Sequence, residues 1–161
     1  MLRFDRAERT VHWWTAALVG MCLATAAALY LAPVAALVGR RDLVRDVHVV
    51  AGLALPVPYL VGRLRPWGAR LRDDVRRLAR FDDHDLRWLR SWGRDPWVAS
   101  GKFNGGQKLN AAFVVGAGLL LLATGSIMRW FSPFPLSWRT GATFVHDWTA
   151  FALLVALMAH V

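Results

Sequence analysis

Charge is missing from four long stretches of this chain, and that limits the fold more than any other feature. No Asp, Glu, Lys or Arg occurs in the thirty residues between Arg9 and Arg40. Twenty more are uncharged from Leu109 to Met128, fourteen from Trp148 to Val161 and sixteen from Val47 to Gly62. A helix needs ~20 apolar residues to cross ~30 Å of bilayer hydrocarbon. The first and third runs meet that length, and the fourth meets it when extended upstream to Gly141, with Asp147 at the membrane surface. The second is short and contains Pro56 and Pro58, so it reads as a kinked span, tolerated where neighbours satisfy the freed carbonyls. Arg63 beside it snorkels to the interface. The first run is too long for a signal peptide, and no small-residue cleavage site closes it. The expected spans are about 11–33, 46–64, 108–130 and 142–161, with a loop over 65–107, in a single domain of 1–161. The fold class is all-α: an integral membrane four-helix bundle with an amphipathic interfacial loop.

Composition removes the competing classes. At 56% hydrophobic residues the chain must bury apolar surface, which excludes disorder. Cys22 is the only cysteine, which excludes a disulfide scaffold. Nine Trp suit membrane interfaces. The net charge of +9 is mostly a topology signal. Residues 1–10 and the long loop, counted over 63–108, hold fifteen Lys and Arg, against five (Arg40, Arg41, Arg45, Arg129, Arg139) on the other side. The positive-inside rule then puts both termini and the long loop in the cytoplasm, in a multi-pass protein of the cell inner membrane. Nucleic-acid binding would want basic residues spread along one solvated face, so no nucleic-acid partner is expected. Within the loop, Leu71, Val75, Leu78 and Ala79, then Leu86, Trp88, Leu89 and Trp92, recur at helical spacing among Arg and Asp. They read as one or two amphipathic helices lying on the lipid surface, since Trp67, Trp88, Trp92 and Trp97 are costly to leave in water.

Four of five histidines fall in or at the edges of the expected spans, where ionisable groups are rare and usually functional. His12 opens the first span on the inner side and His48 the second on the outer side. His146 opens the fourth span on the outer side, and His160 closes it on the inner side. Those last two are fourteen residues apart on one helix, or ~21 Å and just under four turns, so both rings leave nearly the same face. One helix can thus offer an axial ligand to each of two stacked centres, His48 completing the outer pair and His12 the inner pair. Two neutral imidazoles closing both axial positions of iron favour electron transfer over oxygen chemistry. Zinc would want Cys or carboxylate ligands at the same depth, and a proton relay would want ionisable groups mid-span. His84, among Asp82, Asp83 and Asp85, is read as solvated.

Small residues (Ala16, Gly20, Ala24, Gly52, Gly116, Gly118, Gly125) permit either close helix packing or room for a flat ligand. Arg9, Arg45 and Arg139 can pair with propionates or simply snorkel. The run Gly101-Lys102-Phe103-Asn104-Gly105-Gly106-Gln107-Lys108 precedes the third span. Asn104 and Gln107 there suit hydrogen bonds to quinone carbonyls, or equally a turn that starts a helix.

Arg9-x-x-His12-Trp13, His48-x-x-x-Gly52, the glycine–amide run and His146 with His160 together resemble, in order and across the chain, the gamma subunit of membrane-bound respiratory formate dehydrogenase. That is a four-helix di-haem cytochrome b within a wider group of hydrogenase and thiosulfate reductase cytochromes. The resemblance implies two haem b groups, held by His48 with His146 and by His12 with His160. It implies a quinone pocket, for menaquinone or ubiquinone, near His160, Asn104 and Gln107. It also implies an iron–sulfur subunit as donor, fed by a molybdenum or tungsten catalytic subunit; a higher oligomer is compatible with it. The chain has neither a molybdopterin domain nor a cysteine cluster of its own. Two features depart from the family. Ala150 stands where a glycine usually follows His146 by four, and the chain stops at Val161 where the family continues into a cytoplasmic tail, which reads as a truncated frame or fragment. The competing readings are a cytochrome subunit of a hydrogenase or thiosulfate reductase, and a haem-free membrane scaffold or transporter.

Overall fold

The structure, a computed structural model, describes residues 4–95, 101–130 and 132–159; Arg3, Trp97 and His160 lie outside the described residues. The elements in order are α1 (Arg6–Tyr30), α2 (Ala32–Val38), α3 (Arg41–Ala54), α4 (Val57–Leu64), a 3₁₀ turn (Pro66–Gly68), α5 (Ala69–Leu78), α6 (Asp83–Arg90), α7 (Gly105–Arg129) and α8 (Leu136–Met158). Four helical stretches are long and apolar enough to cross a membrane: Arg6–Tyr30, Arg41–Leu64, Gly105–Arg129 and Leu136–Met158. The fold is all-α, as expected of a helical membrane protein. Two compact units divide it, Met1–Asp73 and Asp74–Val161.

In the first unit α2, α3 and α4 all pack against α1. α1 starts with a reciprocal cap: Glu8 N donates to Asp5 Oδ1 at 2.8 Å, and Asp5 N donates to Glu8 Oε2 at 2.6 Å. The long uncharged run is not one rod to residue 33. Pro33 has no N–H to return to the Leu29 carbonyl, so α1 stops at Tyr30, and α2 follows until Gly39 at φ +65° ends it. The second span breaks where its prolines lie. Leu55 N–H reaches back only to Gly52 O at 3.1 Å, and α4 restarts at Val57 with Pro58 in its first turn. The far end of α4 is fastened by Arg72, whose Nη1 donates to Arg63 O at 2.9 Å and Arg65 O at 3.0 Å. Arg63 O is among the carbonyls a helix terminus leaves without internal partners, while Arg65 O also accepts from Gly68 N at 3.1 Å. A β-carbon at Gly68 would collide with the Gly62 carbonyl oxygen, so only glycine allows the turn after α4 to fold back on it.

In the second unit α7 packs along α8, and α6 lies against the start of α7. In and just after α5 and α6 the expected amphipathic pattern appears in part: Leu71, Val75, Leu78, Trp88 and Leu89 are half-buried while Arg76, Arg77, Arg87 and Arg90 are exposed, but Ala79, Leu86 and Trp92 are exposed as well. Along the spans, large apolar side chains face outward, as lipid contact requires: Leu119 is 63% exposed and Phe144 66%.

Hydroxyls inside the spans bond to the carbonyl one turn back on their own helix. Thr15 reaches Val11 O at 2.9 Å, Ser126 Leu122 O at 2.7 Å and Thr143 Arg139 O at 2.9 Å. Hydrocarbon supplies no water for a hydroxyl, so the helix satisfies it locally.

Candidate functional site

Two of the sequence-derived histidines are held by the same device, once in each unit. In the first, α1 presents Thr25 to His48 on α3, with Thr25 Oγ1 2.9 Å from His48 Nδ1. In the second, α7 presents Thr124 to His146 on α8, with Thr124 Oγ1 3.0 Å from His146 Nδ1. Each threonine stands five residues before the last residue of a 25-residue helix.

The direction of these bonds follows from the other contacts of the hydroxyls. Thr25 Oγ1 lies 2.7 Å from Met21 O, and Thr124 Oγ1 lies 2.7 Å from Leu120 O. Two oxygens approach that closely only with a proton between them, and a carbonyl has none to give. The hydroxyl therefore donates to its own helix and accepts from the ring, which places the ring proton on Nδ1 and the lone pair on Nε2. A neutral imidazole with Nδ1–H engaged and Nε2 as the basic atom is the form that ligates iron.

Glycines lie near these rings and elsewhere along the spans. A β-carbon at Gly125 would lie 3.4 Å from His146 Cε1, so the ring rests directly against that glycine. At Gly20, Gly52, Gly116 and Gly118 an added β-carbon would meet nothing within 4 Å, so helix packing does not require glycine there. Gly52 lies one turn beyond His48 on the same face. Each ring, with its Nδ1 proton engaged and Nε2 as the basic atom, has the donor chemistry of a haem ligand. Among the described residues no group of three or more His, Cys, Asp and Glu gathers into a metal cage.

His12 is exposed on α1, its ring edge-on to Trp13 at 5.7 Å between centroids. Beside it Arg6, Arg9, Thr10, Trp13, Trp14 and Ala17 line an open groove. Arg45 makes only an exposed pair with Asp46 at 3.6 Å, a geometry worth little. His84 is exposed, and its Nδ1 accepts from Arg87 Nη2 at 3.0 Å.

The glycine–amide run is a joint between the loop and the third span. Asn104 is the N-cap of α7: its Oδ1 accepts from Gln107 N at 2.8 Å, and Gln107 Oε1 accepts from Asn104 N at 3.1 Å. Both amide oxygens are thus engaged in capping, and what the two side chains can offer outward is N–H donors. A β-carbon at Gly105 would lie 2.7 Å from Asp85 O, and one at Gly106 2.6 Å from the Trp88 ring, so the two glycines let α6 sit on the start of α7. Lys108, one turn in, is buried and bonds Asp85 Oδ2 at 2.5 Å and Arg80 O at 2.9 Å. Lys102 pairs with Asp74. Against this joint lies a cavity of about 240 Å3 whose walls include Arg77, His84, Trp88, Phe103 and Asn104.

Sequence reasoning singled out the histidines but missed Thr25 and Thr124. The signal was a hydroxyl residue 23 or 22 positions before a span histidine, the separation that a helical hairpin closes. Nor did it foresee that Lys108, counted among the topology charges, is buried as one half of an ion pair.

The model of a family described as prokaryotic cytochrome b561 matches residues 3–161. No curated protein matches the chain.

Proposed function

The chain belongs to the prokaryotic cytochrome b561 family, a family of membrane b-type haem electron-transfer proteins, and we propose that it is the membrane subunit of a respiratory formate dehydrogenase-like complex. In this reading it takes electrons from an iron–sulfur partner, itself served by a molybdenum or tungsten catalytic subunit. It passes them by way of two b-type haems to menaquinone or ubiquinone. Both termini and the 65–107 loop face the cytoplasm, by the distribution of Lys and Arg.

Bound b-type haem supplies a one-electron carrier whose potential its axial ligands set. As the resemblance implies, His48 and His146 would hold the outer haem, and His12 and His160 the inner one. Two histidines to each iron would favour electron transfer over oxygen chemistry. At the start of α7, Asn104 and Gln107 direct amide N–H groups at the quinone carbonyls, beside the cytoplasm that supplies its protons.

The observation that carries this reading is the doubly repeated threonine–imidazole contact, which gives His48 and His146 the tautomer that ligates iron. The test is a pyridine haemochrome assay on the purified chain together with a reduced-minus-oxidised spectrum. Two haems per chain and a b-type alpha band are expected; one haem would overturn the two-centre reading and none the whole of it. Co-purification with formate-oxidising activity tests the partner, and hydrogen- or thiosulfate-linked activity in its place would reassign it.

A further inference from the structure

We propose that Thr25 and Thr124 are positioning residues for the haem ligands: each hydroxyl fixes the tautomer and rotation of one imidazole, and by accepting its Nδ1 proton lowers the reduction potential of the iron that the ring would ligate. The inference rests on the functional reading above and concerns residues for which neither the sequence motifs nor the family match supplies a role.

The two contacts are built alike, from different sequence. In Ala24-Thr25-Ala26 and Ala123-Thr124-Gly125 the threonine is flanked by small residues that leave room for a ring. Both hydroxyls bond back one turn, at 2.7 Å, and both meet an Nδ1, at 2.9 and 3.0 Å. A second carbonyl lies near each hydroxyl, Cys22 O at 3.0 Å and Leu121 O at 3.3 Å. Spent on these carbonyls, the hydroxyl proton leaves the oxygen as an acceptor only. A threonine that merely satisfied itself inside a span would need the carbonyl and nothing else, as Thr15 does. The recurrence of the imidazole contact at the same distance from the ends of α1 and α7 separates Thr25 and Thr124 from that ordinary case.

The electronic consequence has a definite sign. An acceptor at Nδ1 draws the ring proton outward and gives the imidazole more anionic character, so Nε2 becomes a stronger donor. A stronger donor stabilises ferric over ferrous iron and lowers the midpoint. A methyl in place of the hydroxyl removes that acceptor while keeping the shape and the β-branch; at His48 the Cys22 backbone also bonds the ring and stays in place.

The test uses full-length chain in detergent with Thr25→Val, Thr124→Val and the corresponding serine variants. Haem content is read by pyridine haemochrome and midpoints by optical redox titration. With haem retained, each valine variant is expected to move one midpoint to more positive values, and each serine variant to restore it. Loss of one haem in a valine variant with retention in its serine counterpart also supports the proposal, because the hydroxyl then decides binding. Unchanged midpoints at full haem content overturn it. So does equal damage by valine and serine, since the methyl rather than the hydroxyl would then matter. If the unaltered chain binds no haem, the functional reading falls separately. The positioning claim is then read from ¹⁵N imidazole shifts of the haem-free protein, where Nδ1–H on His48 and His146 is expected and Nε2–H would overturn it.

Discussion

The two compact units are alike at the C-terminal ends of their long helices and unlike at the N-terminal ends. α1 and α7 are both 25 residues long, both start with a reciprocal cap, and both carry a threonine five residues from the end that holds a histidine on a later helix. At their starts they diverge. α7 begins against α6, with Gly105 and Gly106 under it and the Lys108–Asp85 pair buried beside it. α1 begins with Trp13 and Trp14 about two-thirds exposed, at 67% and 64%, over an open basic groove. The shared end reflects one chemical demand met twice, a fixed neutral imidazole inside hydrocarbon. The differing ends reflect local duty: only α7 has to anchor the loop that precedes it.

The largest effect expected from breaking the shared end is loss of a cofactor. His146→Ala should remove one haem and spare most of the other, seen as about half the haemochrome yield; full yield would strip the matching contacts of any ligand meaning. Next comes the charged joint of α7. Lys108→Met leaves the Asp85 carboxylate buried without its cation, which should cost about 3 kcal/mol in the loop. Protease sensitivity of residues 74–95 should rise, and Lys108→Met with Asp85→Leu should recover much of the loss. The α1 unit is predicted to be indifferent to both.

A smaller effect separates the two caps. Asp5→Ala and Asn104→Ala should each cost about 1 kcal/mol of helix stability. Only Asn104→Ala should also slow quinone reduction at unchanged haem content; equal turnover in both variants would make Asn104 a cap and nothing more. The smallest effect lies at α6. The Asp85 backbone N–H that Asp82 accepts holds the Asp82 carboxyl below its ordinary value. Its capping contribution is complete above the ordinary carboxylate range and is lost as pH falls through the lowered value. Digestion of the α6 segment should therefore accelerate only in strongly acidic buffer, and Asp82→Asn should flatten that dependence.

Much of this was legible in the residues because hydrocarbon is an intolerant solvent. Long gaps in charge gave the four spans, and Pro56 with Pro58 gave the break in the second. What stayed hidden was punctuation inside an apolar run: Pro33 parts α2 from α1 and Gly39 ends α2 before α3, yet the charge pattern passes over both. The fourth helix begins at Leu136, well before the expected start at 142, because a charge such as that of Arg139 ends an apolar run without ending a helix. The threonines were invisible for another reason. A hydroxyl in a span is ordinary, and its meaning comes from a partner two dozen residues away, which only tertiary structure supplies. The glycine–amide run was visible as unusual, but its geometry depends on Asp85 and Trp88, which no local pattern connects to it.

The broken second span has a mechanical consequence. The Ala54 carbonyl faces Pro58, which has no amide hydrogen to return, so no regular helical bond ties α3 to α4 at that register. α4 is lashed to the following segment by Arg72 and by the Gly62–Gly68 contact. α3 carries His48 and is lashed to α1 by Thr25. The two halves of that span are therefore held by different partners on either side of the prolines, α3 through its histidine and α4 through the segment that follows it, and both rest on α1.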